Sequence, residues 1–496
     1  MQFQNIGARS SIRFRLNGQA VEVPDANATT TLLDWLRLNR RLVGTKEGCA
    51  EGDCGACTVL VGRLKQGILS YEGVNACIRF LPSLDGCHVM TVEHLSAGGQ
   101  LHPVQQAMVE HHGSQCGFCT PGIVMSLLAL WMRTTDYSTQ DVERALQGNL
   151  CRCTGYAPIV RAAMAVRHDP RMDLLAAERA AVEAQLKTWS QDKRDLVGSG
   201  SEPFVVPADV DSLCRHLHAA PEATIVSGST DVGLWVTKHK RPIAPAIFLH
   251  GVEALETIAV RNGRLRIGAR VTYTDMLPVI DEHMPHLSEL WWRIGGDQVR
   301  NMGTIGGNIA NGSPIGDTPP GFIALGGYVI LRSAEGSRQV PLEDFFIEYG
   351  KQDRQAGEFV EAIEIYLPTP DSINACYKIS KRRDEDISAV CGAFHIELDG
   401  NAVKTARLAY GGMAGTPARA RHAERVLLEG GWSEDTVRAA MEVMPKDFQP
   451  LTDVRATAAY RMKTAQNLLY RFWLEHGAEA VAPCRLPGLA TLEAAE

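Results

Sequence analysis

Apolar and polar positions alternate at the start of the chain, and the period then changes several times. Ile12 to Leu16 alternates, Asn17-Gly18 interrupts, and Ala20 to Val23 alternates again, which predicts a β-hairpin with a tight turn. Thr30 to Leu42 predicts a helix with Leu32, Leu33 and Leu36 on one face, and Thr58 to Val61 a further strand. From His94 to His168 the period becomes helical. Thr120-Pro121 reads as an N-cap and first turn ahead of a helix over Ile123 to Met132, and Thr139 to Leu146 and Pro158 to Val166 predict two more. Arg171 to Asp195 is charged and helix-prone, and Gly198-Ser-Gly-Ser201 ends it, so this stretch reads as a linker. Beyond Phe204, short β-like runs (Ile225-Val226, Ala246 to Leu249, Leu265 to Ile267) alternate with glycine-rich turns and helices to about Tyr377. Phe394 to Leu398 and Ala406 to Tyr410 then predict strands, and Ala456 to Leu474 a helix.

The length, 496 residues, exceeds what one hydrophobic core serves. The patterns divide it into a small α+β domain over residues 1–93, an all-helical domain over 94–170, a linker over 171–200, an α+β domain over 201–372 and a final domain over 373–496. The net charge is -7 and no long Lys/Arg run occurs, so nucleic acid is not an expected partner. Met1 to Gly18 has no apolar core of the signal-peptide kind, and the best apolar run, Ile123 to Met132, is too short to span a bilayer. A soluble, cytoplasmic chain with no membrane contact is expected.

Cysteine usage changes the picture. Of thirteen cysteines, nine fall between Cys49 and Cys153, and eight of these form two groups. Clustering in a chain without a targeting signal points to metal or redox chemistry rather than a disulfide scaffold. The first group, Cys49, Cys54 and Cys57 with Cys77 further on, has the C-x4-C-x2-C…C spacing of a plant-type [2Fe–2S] site. Two irons need four thiolates, and Gly48, Gly52 and Gly55 let the backbone curl around them. The second group, Cys116 and Cys119 with Cys151 and Cys153, has each half at a helix start. Its spacing alone suits four thiolates on zinc as well as on a second [2Fe–2S] cluster.

Two glycine-rich segments are candidates for a dinucleotide. Ile225-Val226-Ser227-Gly228-Ser229-Thr230-Asp231-Val232 includes a short apolar strand and precedes a helix-like stretch, so its N–H groups could form an anion nest; Gly303 to Asp317 offers exposed N–H groups, hydroxyls and amides. Either segment alone is as readily a plain turn. There is no G-x-G-x-x-G, so a Rossmann site is not indicated. By composition the run Lys378 to Ser388 reads as a solvated loop.

Taken together, Gly44-Thr-Lys-Glu-Gly-Cys49, Gly52-Asp-Cys-Gly-Ala-Cys57, Gln115-Cys-Gly-Phe-Cys-Thr-Pro-Gly122 and Gly148-Asn-Leu-Cys-Arg-Cys-Thr-Gly-Tyr156 resemble the N-terminal region of the molybdenum hydroxylase family. Ser313 to Asp317, Asp386 to Val390 and Gly411 to Gly415 continue the resemblance, which spans Ser11 to Ala482 and favours the xanthine dehydrogenase branch. It implies a β-grasp ferredoxin-like domain, a four-helix [2Fe–2S] domain, an α+β FAD-binding domain and a C-terminal α/β flavoprotein domain. It also implies FAD held by residues 225–232, Thr304, Gly307, Asn308, Asn311 and Asp317, with Lys378 at the flavin, and Arg383 and Asp386 near the path of NAD. Gln115 would lie near the molybdopterin of a large partner subunit, in a dimer of heterodimers. Electrons would run from molybdenum on that partner through the second cysteine group, the first group and FAD to NAD, while purines are oxidised. No residue of this chain would act as acid or base in that oxidation. Ile294 stands where an aromatic residue is usual, which loosens the expectation for the acceptor. Another molybdenum hydroxylase, acting on aldehydes or N-heterocycles, and a non-enzymatic iron–sulfur or zinc protein are the alternative readings.

Overall fold

A computed structural model describes residues 3, 7–96, 99–166, 173 and 175–477. Two compact units emerge: residues 1–254 with 295–303, and residues 255–294 with 304–496.

The first unit begins with the predicted hairpin, β1 (Ile12–Leu16) and β2 (Gln19–Val23), followed by β3 (Thr58–Lys65), β4 (Ile68–Asn75) and β5 (His88–Met90). The sheet order is β2-β1-β5-β3-β4, with β1 and β5 parallel and the other pairs antiparallel. The helix expected over Thr30 to Leu42 is shorter. One α-turn, Leu32–Asp34, widens into a π-turn over Trp35–Asn39, and Arg41, at φ 58°, stops it. Thr31 caps the start by accepting from the Asp34 N–H.

Four α-helices follow: Pro103–Glu110, Thr120–Arg133, Thr139–Leu146 and Ala157–Ala165. Ile123, Met125, Leu128 and Trp131 form their core together with Leu60 and Met90 from the adjoining sheet. In the stretch read as a linker, Ala176–Ser190 is helical and buries Val182 and Leu186. A second sheet comprises β6 (Leu196–Val197), β7 (Phe204–Val206), β8 (Thr224–Val226) and β9 (Ala246–Phe248), in the order β6-β7-β9-β8. Phe204, Val226 and Phe248 share one core with Phe14, Leu32 and Phe80 of the first sheet. That shared burial fixes β8 and the loop after it against the first cysteine group.

The second unit has an antiparallel sheet of β10 (Ile258–Arg261), β11 (Arg264–Gly268), β12 (Tyr328–Ser333), β13 (Gly336–Pro341) and β16 (Phe359–Tyr366), with a hairpin of β14 (Phe346–Glu348) and β15 (Lys351–Gln352) before β16. Helices Tyr273–His283, Ile305–Asn311 and Thr318–Ala324 cover it, around Trp291 and Phe322. The last sheet, β17 (Ser372–Ile379), β18 (Val390–Asp399), β19 (Ala402–Gly411) and β20 (Ala418–Arg419), is antiparallel and packs on Arg421–Gly430, Glu434–Val443 and Ala458–His476. No helix among the described residues is long and apolar enough to cross a membrane. Cys484 lies outside the described residues.

His88 on β5 ties the first sheet together. Its Nδ1 accepts from the Tyr71 hydroxyl at 2.7 Å, and its Nε2 donates to the Asn17 carbonyl at 2.8 Å. Burial pushes its pKa down to about 4. The unfolded chain binds this proton near pH 6.5, well before the folded one does. The stabilisation is therefore complete above pH 6.5 and is lost as pH falls toward 4, at about 1.4 kcal/mol per pH unit and roughly 3 kcal/mol in total. Urea titrations at pH 7 and pH 5 should show the parent losing stability more steeply than His88→Asn; equal slopes would count against the buried neutral ring.

Candidate functional site

The first cysteine loop is shaped by backbone conformations that side chains disfavour. Ala50 (φ 56°), Gly52 (φ 82°) and Gly55 (φ 68°) curl the chain. Gly48 is needed for space instead, since a Cβ there would sit 2.7 Å from Cys54 Sγ. The curl turns the N–H groups of Glu51, Asp53 and Cys54 onto Cys49 Sγ at 3.4–3.5 Å. The thiols meet pairwise: Cys49 with Cys54 and with Cys77, and Cys57 with Cys77. Asn75 Nδ2 reaches Cys57 Sγ at 3.8 Å. Hydrogen bonds from Cys54 and Cys77 hold the Cys49 thiol well below the ordinary range, and the same contacts push Cys54 and Cys77 above it. Metal binding, which takes every thiol as thiolate, would relieve that competition.

The second group also meets in pairs, Cys116 with Cys153 and Cys119 with Cys151. Burial and Cys151 push the Cys119 thiol up to about 12. Burial raises Cys151, but hydrogen bonds from Thr154, Cys119 and the Cys153 N–H outweigh it and leave the thiol lowered. Tyr156, at φ 69°, closes the loop: its hydroxyl accepts from the Cys151 N–H at 2.8 Å and donates to the Asn149 carbonyl at 3.1 Å. Cys116 and Cys153 are exposed, as is Gln115, and beside them Phe118 and Leu150 stand half out of the surface.

Four thiols gathered in each group can serve two irons, two thiolates to each metal. The loop over Cys49 to Cys57 also touches the loop over Gly148 to Tyr156. Leu150 N–H donates to the Cys54 carbonyl at 3.0 Å, and a Cβ on Gly55 would lie 2.1 Å from the Gly148 carbonyl.

Sequence reading missed the residue that holds this junction. Gln298, on the helix Asp297–Met302, is buried; its Nε2 lies 3.1 Å from Thr58 Oγ1, 3.1 Å from Ser126 Oγ and 2.9 Å from Asn149 Oδ1. Arg300 on the same helix donates to Gln147 Oε1 at 2.9 Å, and Asn301 to the Gly73 carbonyl at 2.8 Å. Three polar side chains in six residues carry no periodic signal, so only the fold reveals their burial.

The glycine loop after β8 belongs to the first unit. Ile225 and Val226 end the strand, and Val232 opens the helix Val232–Thr237. Between them Ser229 is left-handed (φ 62°), and its buried Oγ has no hydrogen-bond partner. Gly228 is indispensable here, because a Cβ would stand 1.8 Å from the Met302 carbonyl. Ser227, Gly228, Thr230 and Asp231 complete a turn whose orphan hydroxyl and backbone N–H groups suit a pyrophosphate.

Thr304, Gly307, Asn308, Asn311, Asp317 and Lys378 belong to the second unit. Thr304 caps the helix Ile305–Asn311, its Oγ1 accepting from the Gly307 N–H at 3.1 Å. Gly306 sits against Ala269, while Gly307 and Asn311 are exposed. Asn308 Oδ1 accepts from Thr318 Oγ1 at 2.5 Å. Asp317 accepts from Lys378 Nζ at 2.6 Å and from Ser388 Oγ at 2.5 Å, in a nearly buried ion pair. Lys378 Nζ also lies 3.3 Å from the Arg293 carbonyl. The guanidinium of Arg293, which sequence reading also missed, donates to the Lys378 and Arg383 carbonyls and to Ser380 Oγ, so it pins the start of the charged run. Asp386 accepts from the Arg382 N–H at 2.8 Å, and Ile294 packs against the second core. These donors and hydroxyls fit the phosphate and ribose chemistry of a dinucleotide.

Comparisons with known proteins agree with this geometry. Residues 14–79 match a 2Fe-2S iron–sulfur cluster binding domain, and 91–164 a [2Fe-2S] binding domain. Residues 199–370 match the FAD binding domain in molybdopterin dehydrogenase, and 375–476 the CO dehydrogenase flavoprotein C-terminal domain. The xanthine dehydrogenase of Emericella nidulans is 31% identical over 93% of this chain and 38% of its own length. That of Drosophila subobscura is 33% identical over 94% and 39%. The chain thus spans under two-fifths of the length of these relatives. Among solved structures, a carbon monoxide dehydrogenase chain from Hydrogenophaga pseudoflava superposes with a TM-score of 0.51 at 26% identity, covering 54% of this chain and 94% of that one. Quinoline 2-oxidoreductase from Pseudomonas putida 86 gives 0.50 at 25% identity, covering 56% and 97%. With four such domain matches in this order, and relatives matching along nearly its whole length, the chain is similar to the iron–sulfur and flavin portion of the molybdenum hydroxylases.

Proposed function

We propose that this chain is the electron-transfer subunit of a xanthine dehydrogenase. It would take electrons from a molybdenum cofactor on a large partner chain, in a dimer of heterodimers, and deliver them to NAD while xanthine or hypoxanthine becomes urate. The observation that carries this reading is the gathering of eight thiols into two groups joined by the Leu150 to Cys54 hydrogen bond.

When bound, two [2Fe–2S] clusters carry electrons singly, and FAD gathers them into the pair that NAD takes as hydride. The chain's own residues hold and orient. Cys116, Cys119, Cys151 and Cys153 would grip one cluster on an exposed face, where Gln115, Phe118 and Leu150 offer a partner an apolar and amide surface. Cys49, Cys54, Cys57 and Cys77 would grip the other behind it. Residues 225–232 would cradle the pyrophosphate. Thr304, Gly307, Asn308, Asn311 and Asp317 would serve the phosphates and ribose, and the Asp317–Lys378 pair would set the charge beside the flavin. Domain limits at 93, 170, 200 and 372 serve this division of labour.

A second reading, another molybdenum hydroxylase acting on an N-heterocycle or an aldehyde, is favoured by the likeness to quinoline 2-oxidoreductase. Assaying the purified complex on xanthine, quinoline and aldehydes, with NAD and with oxygen, separates the two.

Metal and flavin analysis of the anaerobically purified protein should return four irons and one FAD per chain, with flavin bands beside the iron–sulfur bands; zinc in place of iron would overturn the reading. Cys116→Ser or Cys151→Ser should abolish xanthine-to-NAD turnover with FAD still bound. Loss of FAD with turnover intact would refute it. Lys378→Met leaves the Asp317 carboxylate nearly buried without its cation, a change that costs about 3–5 kcal/mol in such sites. FAD retention on dilution should fall at least tenfold; unchanged retention would remove this pair from the flavin site.

A further inference from the structure

The helix Val232–Thr237 begins at the glycine loop and ends on the first cysteine loop. Along its side, Gly233 lies against Ile78, the residue after Cys77, so closely that a Cβ would be 2.7 Å from Ile78 Cβ. At its end, Thr237 Oγ1 is 2.6 Å from the Ala50 carbonyl and 3.1 Å from the Gly233 carbonyl. A hydroxyl has one hydrogen to donate, and the shorter contact takes it. Lys238 Nζ then stands 3.4 Å from Glu51. All these residues belong to one compact unit.

Ala50 is the residue whose conformation shapes the loop. Its φ of 56° is rare for a residue with a side chain, and it turns the following N–H groups of Glu51, Asp53 and Cys54 back onto Cys49 Sγ. A carbonyl hydrogen-bonded from outside the loop holds that turn in place. Donors aimed at a ligand sulfur favour the reduced, more negative cluster and so raise its potential.

We propose that Thr237 is a positioning residue for the first iron–sulfur site: by fixing the Ala50 turn it sets the N–H donors on Cys49, and it makes the helix after the flavin loop a determinant of that cluster's reduction potential. The proposal rests on the reading of these cysteines as ligands of a [2Fe–2S] cluster. A merely structural role, the ordinary bond from a threonine to the carbonyl four residues back, would affect stability alone.

EPR-monitored redox titration of the full protein in its complex tests this, on the parent, Thr237→Val and Thr237→Ser. Val keeps the shape and removes the donor, whereas Ser restores it. Thr237→Val should lower the midpoint of one cluster signal, leave the other in place, and speed loss of two of the four irons to a chelator; Thr237→Ser should return both properties to the parent's. Two full cluster signals with unchanged midpoints in Thr237→Val would overturn the proposal, and so would an equal shift of both or no recovery in Thr237→Ser. A parent protein lacking two iron–sulfur signals would overturn the cluster reading itself, and this proposal with it.

Discussion

A single buried amide, that of Gln298, stands where three segments of the first unit meet. Its two N–H protons face three acceptors, on Thr58, Ser126 and Asn149, so at least one proton is shared. The acceptors are themselves engaged: Ser126 Oγ donates to Asn149 Oδ1, Thr58 Oγ1 to the Gly55 carbonyl, and Asn149 Nδ2 to that same carbonyl. Its own oxygen is buried without a partner, close to Gly148. A network this dry is costly when broken, because each member would be left in low dielectric with nothing to replace its partner. It therefore fixes strand, helix and cysteine loop in one arrangement.

What that arrangement secures is the closeness of two loops that cannot approach through side chains. Gly55, Gly122 and Gly148 meet backbone to backbone, and a Cβ on Gly55 or Gly122 would fall 2.1 Å from a carbonyl oxygen. Only then can the Leu150 N–H reach the Cys54 carbonyl. The two cysteine groups differ in exposure as well as sequence: one presents Cys116 and Cys153 to solvent, and the other buries Cys57 and Cys77. A polarity from surface to interior is thus built into the fold before any cofactor is considered.

The residues proposed to hold a flavin are organised by separate means in the two units. In the first, a glycine loop is held by shared apolar burial of β7, β8 and β9 with the first sheet. In the second, the Asp317–Lys378 pair and Ser388 tie the loop before Thr318–Ala324 to β17 and to the end of the charged run. That run is a loop with Lys381 to Asp384 exposed, and Arg293 tethers it by binding two of its carbonyls and a hydroxyl.

The residues alone determined the cysteine spacings, the left-handed glycines at 52 and 55 and the two glycine-rich segments, because each is a local feature read from neighbours in sequence, whereas Thr120, read as an N-cap, is the first residue of its helix, after Cys119. The same locality made the hairpin at Asn17-Gly18 and the helix over Thr139–Leu146 legible. Tertiary structure alone decided the rest. The helix after Thr31 ends early in a π-turn, and the helix-prone linker stretch buries Val182 and Leu186 of Ala176–Ser190. Gln298, Arg293 and Thr237 find partners between about 90 and 240 residues away. A polar side chain carries no sign of a partner so distant, since burial and pairing are properties of the assembled core and not of any window of sequence.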